Sequence, residues 1–245
     1  MDPLVMATFF VALISSVLSG MSGSGGGFIM SPYWLLIGLT PAQGAAAGAF
    51  MALGMSASSV AAFKGSGHMP GDKRLMKLLL VITLVASAIG PFFLQMMPTE
   101  VFKPIIAVFT LLTLPMLFMK RNARVIGHHG QVLGVILLSI VLLASSFIMS
   151  SAFSIAIAVI LSQMFGLTIL QGTAVRRMMG VVQATVIFTI LLSLGNFVWA
   201  HALAGIAGGI IGSYLGTRYA IKQGEDFARY ALAAGAIISA ILLLW

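Results

Sequence analysis

Two short stretches of this chain carry residue types that can hold a small guest by hydrogen bonds. One is Met21-Ser22-Gly23-Ser24-Gly25-Gly26-Gly27; the other is Ala144-Ser145-Ser146-Phe147-Ile148-Met149-Ser150-Ser151. Glycine lets a ligand approach the backbone with no Cβ in the way, and serine adds hydroxyl donors. Gln43 and Gln171 supply amides, and Arg176 and Arg177 supply two adjacent cations. The groups that catalysis needs are missing. There is no cysteine, which excludes disulfides, thiolate metal sites and a Cys nucleophile. No Asp or Glu falls inside an apolar run, and no Ser–His, Asp–Asp or His–Glu pair is available there. Gly23-Ser24-Gly25 sits in a glycine run without a buried base, and His128-His129 has no third ligand nearby for a metal. The chemistry on offer is donation to a bound guest, with no enzyme activity, cofactor or metal implied.

The elements that position these residues follow from composition. Of 245 residues, 60% are hydrophobic and 7% charged, against about 25% charged in a soluble domain. Eighteen charges cannot cover a soluble globule of 25.7 kDa, and a mean hydropathy of +1.11 agrees. A helical span takes about 20 apolar residues, so the chain is an all-α polytopic membrane protein with roughly eight spans and up to ten segments. The runs are Leu4 to Gly20, Phe28 to Leu39, Ala45 to Phe63, Leu75 to Met97, Pro104 to Met119, Val132 to Met149, Ala152 to Leu170, Met178 to Leu194, Ala200 to Thr217 and Phe227 to Trp245. The start, Met1-Asp2-Pro3, lacks the basic segment of a signal peptide and reads as a retained first helix. The net charge of +8 is what loops facing the cytoplasm contribute; no basic run interleaves the aromatics that nucleic-acid stacking requires. The bilayer is therefore the expected partner, and no nucleic acid is. Small residues recur every four positions at Gly44, Gly48, Ala52 and Ser56, and again at Gly208, Gly212 and Gly216, the pattern that lets helix backbones pack closely in lipid.

The chain also repeats itself. The fourteen residues from Gly38 to Met51 align with those from Gly166 to Met179 with seven identities, where chance in so biased a composition gives about one or two. The same offset of 128 pairs Met21-Ser22 with Met149-Ser150 and Gly67 with Gly195, so the Gly-rich break falls opposite the Ser-rich one. Irregular backbone in lipid must be buried in protein or line a cavity. Matching breaks in two halves point to a transporter's binding site. The halves are residues 1–122 and 123–245. Lys64, Lys73, Arg74 and Lys77, with Lys120, Arg121 and Arg124, place seven basic residues on one side. A parallel second half sends the other six outside, whereas an inverted half adds Arg176, Arg177, Arg218, Lys222 and Arg229 to the seven. The positive-inside rule therefore favours inverted repeats. Each is a broken helix or re-entrant hairpin with about three full spans, or five crossings, and both termini lie outside.

An apolar first helix, Gly23-Ser24-Gly25-Gly26-Gly27, Pro32, and Gly38-Leu39-Thr40-Pro41-Ala42-Gln43 before a small-residue helix together resemble the TauE/SafE sulfite exporter family. So does Gly195-Asn196 followed by Gly208, Gly212 and Gly216. The resemblance covers essentially the whole chain. It implies a secondary transporter in the bacterial inner membrane for sulfite, a sulfonate or a related organosulfur anion; the alternative is an anion channel with the same site. A sulfur oxyanion needs several donors and positive potential, which a helix N-terminus supplies. The expected binding residues are Ser22, Gly23, Ser24, Gly25, Gly26, Gly27, Gln43, Ser150, Ser151, Gln171, Arg176 and Arg177. Here the second break is Ser-rich, where a second Gly-rich turn is expected, so hydroxyls substitute for bare amides on that side.

Arg176 and Arg177 have two readings, attraction of the anion or anchoring at a cytoplasmic helix end, and anchoring is favoured because their counterparts are Gly48 and Ala49. Lys64 reads as an anchor, His68, His128 and His129 as loop residues, and His201 beside Trp199 as interfacial. With no carboxylate in a span, a coupling ion (proton or sodium) has to use histidine, backbone carbonyls or the substrate itself.

Overall fold

The computed structural model describes residues 2–23, 27–69, 71–94, 128–147 and 152–244. They form an all-α bundle: α1 (Pro3–Ser22), α2 (Gly27–Leu36), α3 (Pro41–Phe63), α4 (Lys73–Leu94), α5 (His128–Phe147), α6 (Ala152–Phe165), α7 (Ile169–Ser193), α8 (Trp199–Gln223) and α9 (Glu225–Leu244). Among the described residues, α1, α3 and α7 are each long and apolar enough to cross a membrane. The apolar run from Pro104 to Met119, with Glu100, Lys103, Lys120, Arg121 and Arg124, lies outside the described residues.

Local sequence explains the helix starts. Asp2 accepts the Leu4 N–H at 3.0 Å ahead of Pro3, where proline's missing N–H costs nothing. The repeated Gly-Leu-Thr-x-x-Gln motif folds the same way twice. Gly38 and Gly166 take positive φ (86° and 65°), a backbone shape that side chains with a Cβ resist. Thr40 and Thr168 then cap α3 and α7: each hydroxyl accepts the N–H of Gln43 or Gln171 at 3.2 Å, and each glutamine Oε1 accepts the threonine N–H at 3.0 Å. This is a capping box. Gly67 and Gly195, paired at the same offset, also share positive φ. His128 and His129, expected in a loop, open α5 instead.

Contacts fix the helix directions. A Cβ at Gly208, Gly212 or Gly216 would fall on the carbonyl oxygens of Phe9, Leu13 and Val17, so α8 lies parallel to α1 with backbones touching. Phe50 stacks on Phe188 at 4.7 Å, Ser56 faces Gly180, and Phe63 clusters with Leu170 and Ala174; α3 and α7 are therefore antiparallel. The first small-residue stripe divides its work: Gly44 and Gly48 receive the Trp34 indole, while Ser56 meets α7. Gly134 faces Met164 and Phe165, and Ala158 faces Gly172, which sets α6 against both α5 and α7. Tyr33 Oη lies 2.9 Å from Thr8 Oγ1, so α2 returns along α1. Thus α1 and α5, α2 and α6, and α3 and α7, each pair related by the offset of 128, run in opposite directions. α1 packs on α8, and α5 packs on α4.

At one end of the bundle these directions collect the C-termini of α3 and α8 and the N-termini of α7 and α9. Lys64, Arg218, Lys222 and Arg229 sit there, with Lys73, Arg74 and Lys77 across a short loop. The opposite end carries Trp199 and His201, whose Nδ1 is 3.0 Å from Thr8 Oγ1. Thr8 donates its hydroxyl proton to Leu4 O at 2.8 Å, and the Tyr33 hydroxyl lies within reach of both Thr8 Oγ1 and Leu4 O.

One tie at the basic end was not foreseen. The Glu225 carboxylate accepts the backbone N–H groups of Ile169 and Leu170, putting a negative charge on the positive end of α7. Glu225→Gln is expected to lower stability by about 1–2 kcal/mol. Asp226→Asn, at an exposed ion pair with Arg229 of 4.0 Å, is expected to change it by less than about 0.5 kcal/mol. Thermal unfolding of the two variants in detergent compares them; equal melting temperatures would refute the cap.

Candidate functional site

One face of α7 is polar inside an apolar bundle: Thr173, Arg176, Arg177, Gly180 and Gln183, three or four residues apart. Such spacing aligns side chains along one stripe. Because α7 starts at Ile169, the arginines are its eighth and ninth residues, about 12 Å from its end at 1.5 Å per residue. Anchoring at a helix end, the favoured reading of Arg176 and Arg177, is therefore corrected. The apolar run from Met178 excluded the first turns of the helix, and the capping box at Thr168 marks its true start.

Arg177 is 4% exposed. Its Nη2 donates to the Ser19 carbonyl at 2.6 Å and to Ser19 Oγ at 3.0 Å. Its Nε–H has no partner among the described residues. Arg176, half-buried, turns the other way and donates from Nε to Ser154 Oγ at 3.3 Å. The adjacent arginines thus reach different helices, Arg177 the end of α1 and Arg176 Ser154 on α6. Among the described residues neither has a carboxylate within ion-pair distance. A buried cation beside a half-buried one is costly without a counter-charge, and a bound anion would supply one.

Farther along α7, Gln183 Nε2 donates to Ser145 Oγ at 3.0 Å and Ser146 Oγ at 3.2 Å. Behind Ser19, a buried hydroxyl cluster joins α3 and α8: Ser59 Oγ lies 2.7 Å from Ser213 Oγ and 2.9 Å from Thr217 Oγ1. Ser16 Oγ, on α1 one turn before Ser19, is fully buried and has no partner among the described residues.

Several expected donors are already engaged. The Gly23 N–H bonds to Ser19 O at 2.8 Å as the cap of α1. Ser22 donates its hydroxyl proton to Leu18 O at 2.9 Å. Gln43 and Gln171 hold their amide oxygens on the capping boxes. Gly27 opens α2. Ser24, Gly25, Gly26, Ser150 and Ser151 lie outside the described residues. Sequence reasoning passed over Ser19, Ser154 and Gln183; the three-to-four spacing from Thr173 to Gln183 was the available signal. An apolar-walled cleft of about 560 Å³, lined by Asp72, Arg74, Leu75, Val132 and Phe165 among others, has neither arginine in its wall and takes no part in this site.

Comparison with known proteins fits this arrangement. A probable membrane transporter protein, ORF9, of Sinorhizobium sp is 25% identical over 249 residues, covering 96% of this chain and 90% of that protein. A probable membrane transporter protein of Haemophilus influenzae is 23% identical over 236 residues, covering 92% and 89%. No solved structure matches. The family described as Sulfite exporter TauE/SafE matches residues 8–243. A bundle of apolar helices that matches this family over nearly its whole length is a multi-pass membrane transporter rather than an enzyme, and the chain belongs to the TauE/SafE family.

Proposed function

We propose that the protein is a secondary transporter that moves sulfite, a sulfonate or a related organosulfur anion across the bacterial inner membrane by alternating access. The observation that carries this reading is the Arg176–Arg177 pair, one half-buried and one buried, with no carboxylate within ion-pair distance among the described residues and reaching Ser154 and Ser19. A small oxyanion beside the arginines would accept the Arg177 Nε–H, with Ser24, Gly25, Gly26, Ser150 and Ser151 the further donors in this reading. Charge-assisted donors suit an oxyanion, and the planar guanidinium suits its oxygen spacing. Residues 1–122 and 123–245 are two inverted repeats in this reading, supported by the three helix pairs that run in opposite directions. The clustered basic end faces the cytoplasm by the positive-inside rule, which puts the N-terminus outside. Removing Arg176 and Arg177 from the charge count leaves that orientation unchanged.

The test is a thermal-shift screen of purified protein against sulfite, thiosulfate, sulfoacetate, taurine and simple carboxylates, followed by flux in proteoliposomes. Sulfur oxyanions are expected to raise the melting temperature and to be carried with saturation. Stabilisation by carboxylates alone would overturn the substrate class, and ohmic current in planar bilayers would replace the transporter with a channel.

A further inference from the structure

The cleft at the basic end of the bundle, apart from the arginines of α7, joins two chemistries. Its walls are apolar: α4 contributes Leu75 and Leu78, α5 contributes Val132 and Ile136, and the turn from α6 to α7 contributes Phe165 and Leu167. Its volume of about 560 Å³ is in the range of sites that hold small organic ligands. Leu78, Val132 and Ile136 are exposed, so the cleft opens on the outer face of the bundle, which a membrane protein turns to lipid. Exposed apolar side chains continue from it toward the membrane interior, Val81 and Val85 on α4 and Ile140 on α5. Steps of three or four residues keep each row on one helix face. The mouth, in contrast, is cationic. Arg74 lines it, and Lys73 and Lys77 stand exposed on the first turns of α4. One carboxylate is present, Asp72, and it caps the helix: its Oδ1 accepts the N–H groups of Arg74 and Leu75 at 2.9 and 3.1 Å. Among the described residues Lys73, Arg74 and Lys77 have no carboxylate within ion-pair distance.

We propose that this cleft binds one anionic phospholipid, with an acyl chain between α4 and α5 and its phosphate on Arg74, Lys73 and Lys77. Charge complementarity selects the occupant. Three cations against one carboxylate favour a headgroup with net negative charge over a zwitterionic one. The guanidinium fork of Arg74 matches the oxygens of a phosphodiester. The apolar walls add what a free phosphate cannot use, contact with a hydrocarbon chain. The vertical order also agrees, because the cations sit at the helix ends, where headgroups lie, and the apolar rows run on from them into the bilayer. Basic pockets between membrane helices on the cytoplasmic side recognise lipid headgroups in this way. Bound there, the lipid bridges α4 and α5 across their outer face. Its assignment to the cytoplasmic leaflet rests on the orientation given above; the cleft and its charges do not, and neither depends on the transported anion.

The test is native mass spectrometry of the full-length protein, delipidated in neutral detergent and titrated with phosphatidylglycerol or with phosphatidylcholine of the same acyl chains. Wild type is expected to bind one phosphatidylglycerol at least about tenfold more tightly than phosphatidylcholine. Arg74→Gln is expected to weaken phosphatidylglycerol at least about fivefold and to leave phosphatidylcholine unchanged. Ile136→Trp, which fills the cleft, is expected to weaken both. Lys222→Gln, a basic residue at the same end but outside the cleft, is expected to change neither. Arg74 and Ile136 are exposed, so both variants are expected to fold, and size-exclusion profiles check this. Wild type without a preference, a folded Arg74→Gln that keeps it, an Ile136→Trp that binds as wild type does, or a Lys222→Gln that loses as much as Arg74→Gln would each overturn the proposal. Displacement of phosphatidylglycerol by glycerol phosphate at equal concentration would also overturn it, in favour of a site for soluble phosphates. Failure of the transport reading shows separately, as absence of sulfite binding with lipid preference intact.

Discussion

Arg177→Gln is expected to reduce transport by at least about a hundredfold while leaving the protein folded. The buried guanidinium contributes full charge, and its Nε–H has no partner among the described residues. A charge-assisted hydrogen bond contributes about 1.5–3 kcal/mol, and each 1.4 kcal/mol is about tenfold in affinity. Loss of that bond and of a unit charge at low dielectric together exceed two decades. Stability moves the other way or hardly at all. Glutamine can still donate to the Ser19 carbonyl, and removing a buried cation that has no counter-charge among the described residues relieves its desolvation cost. Arg177→Lys keeps the charge but loses the planar fork, and is expected to fall between wild type and Arg177→Gln. Uptake into proteoliposomes with parallel melting curves separates the roles. A folded Arg177→Gln that transports at the wild-type rate would show that the arginine only ties α7 to α1.

The largest effect on stability is expected at the α1–α8 seam. At Gly212 an added Cβ would land on the Leu13 carbonyl oxygen, with Ser16 Cβ at 2.9 Å and Val17 N at 3.0 Å. Backbone atoms of a straight helix cannot step aside, so the two helices must separate. Overpacking of this kind costs about 1–3 kcal/mol, sometimes more. Gly→Ala in an open helix has the opposite sign, gaining about 1 kcal/mol from propensity. Gly212→Ala is therefore expected to destabilise by about 2 kcal/mol, and Gly212→Leu to prevent assembly of a monodisperse protein. Size-exclusion homogeneity and thermal unfolding in detergent measure both. A stabilised Gly212→Ala would show that the helices are farther apart than these contacts require.

Much of the architecture was readable because lipid makes a strong demand: every span must be apolar and every break is conspicuous. The duplicated Gly-Leu-Thr-x-x-Gln motif marked corresponding places in the chain. Its helix-capping role was passed over, however. Gln43 and Gln171 were read as amide donors from their repeat-equivalent positions, and the same motif is a helix start, with threonine and glutamine three residues apart. Overlooking that start displaced the beginning of α7 to Met178 and turned two buried arginines into surface anchors. Hydropathy runs stop at charges; helices do not. Ser19 and Ser154 were invisible for a different reason. A serine in an apolar helix has nothing to distinguish it until the fold shows what comes across to meet it, here Arg177 and Arg176. The glycine seam, in contrast, was legible as packing from its four-residue period alone.

The crossed pairing of α1 with α8 and α5 with α4 has a consequence for how the protein is made. As the chain emerges from the ribosome, α1 enters the bilayer first, but the glycines at 208, 212 and 216 that receive it are synthesised almost 200 residues later. Until then its Ser15, Ser16 and Ser19, all buried in the finished bundle, face lipid or a provisional neighbour. Contacts this distant in sequence form late and slowly, and transiently exposed surfaces invite misassembly. Neither half can complete its own packing. The α1–α8 seam therefore closes only after α8 has been made.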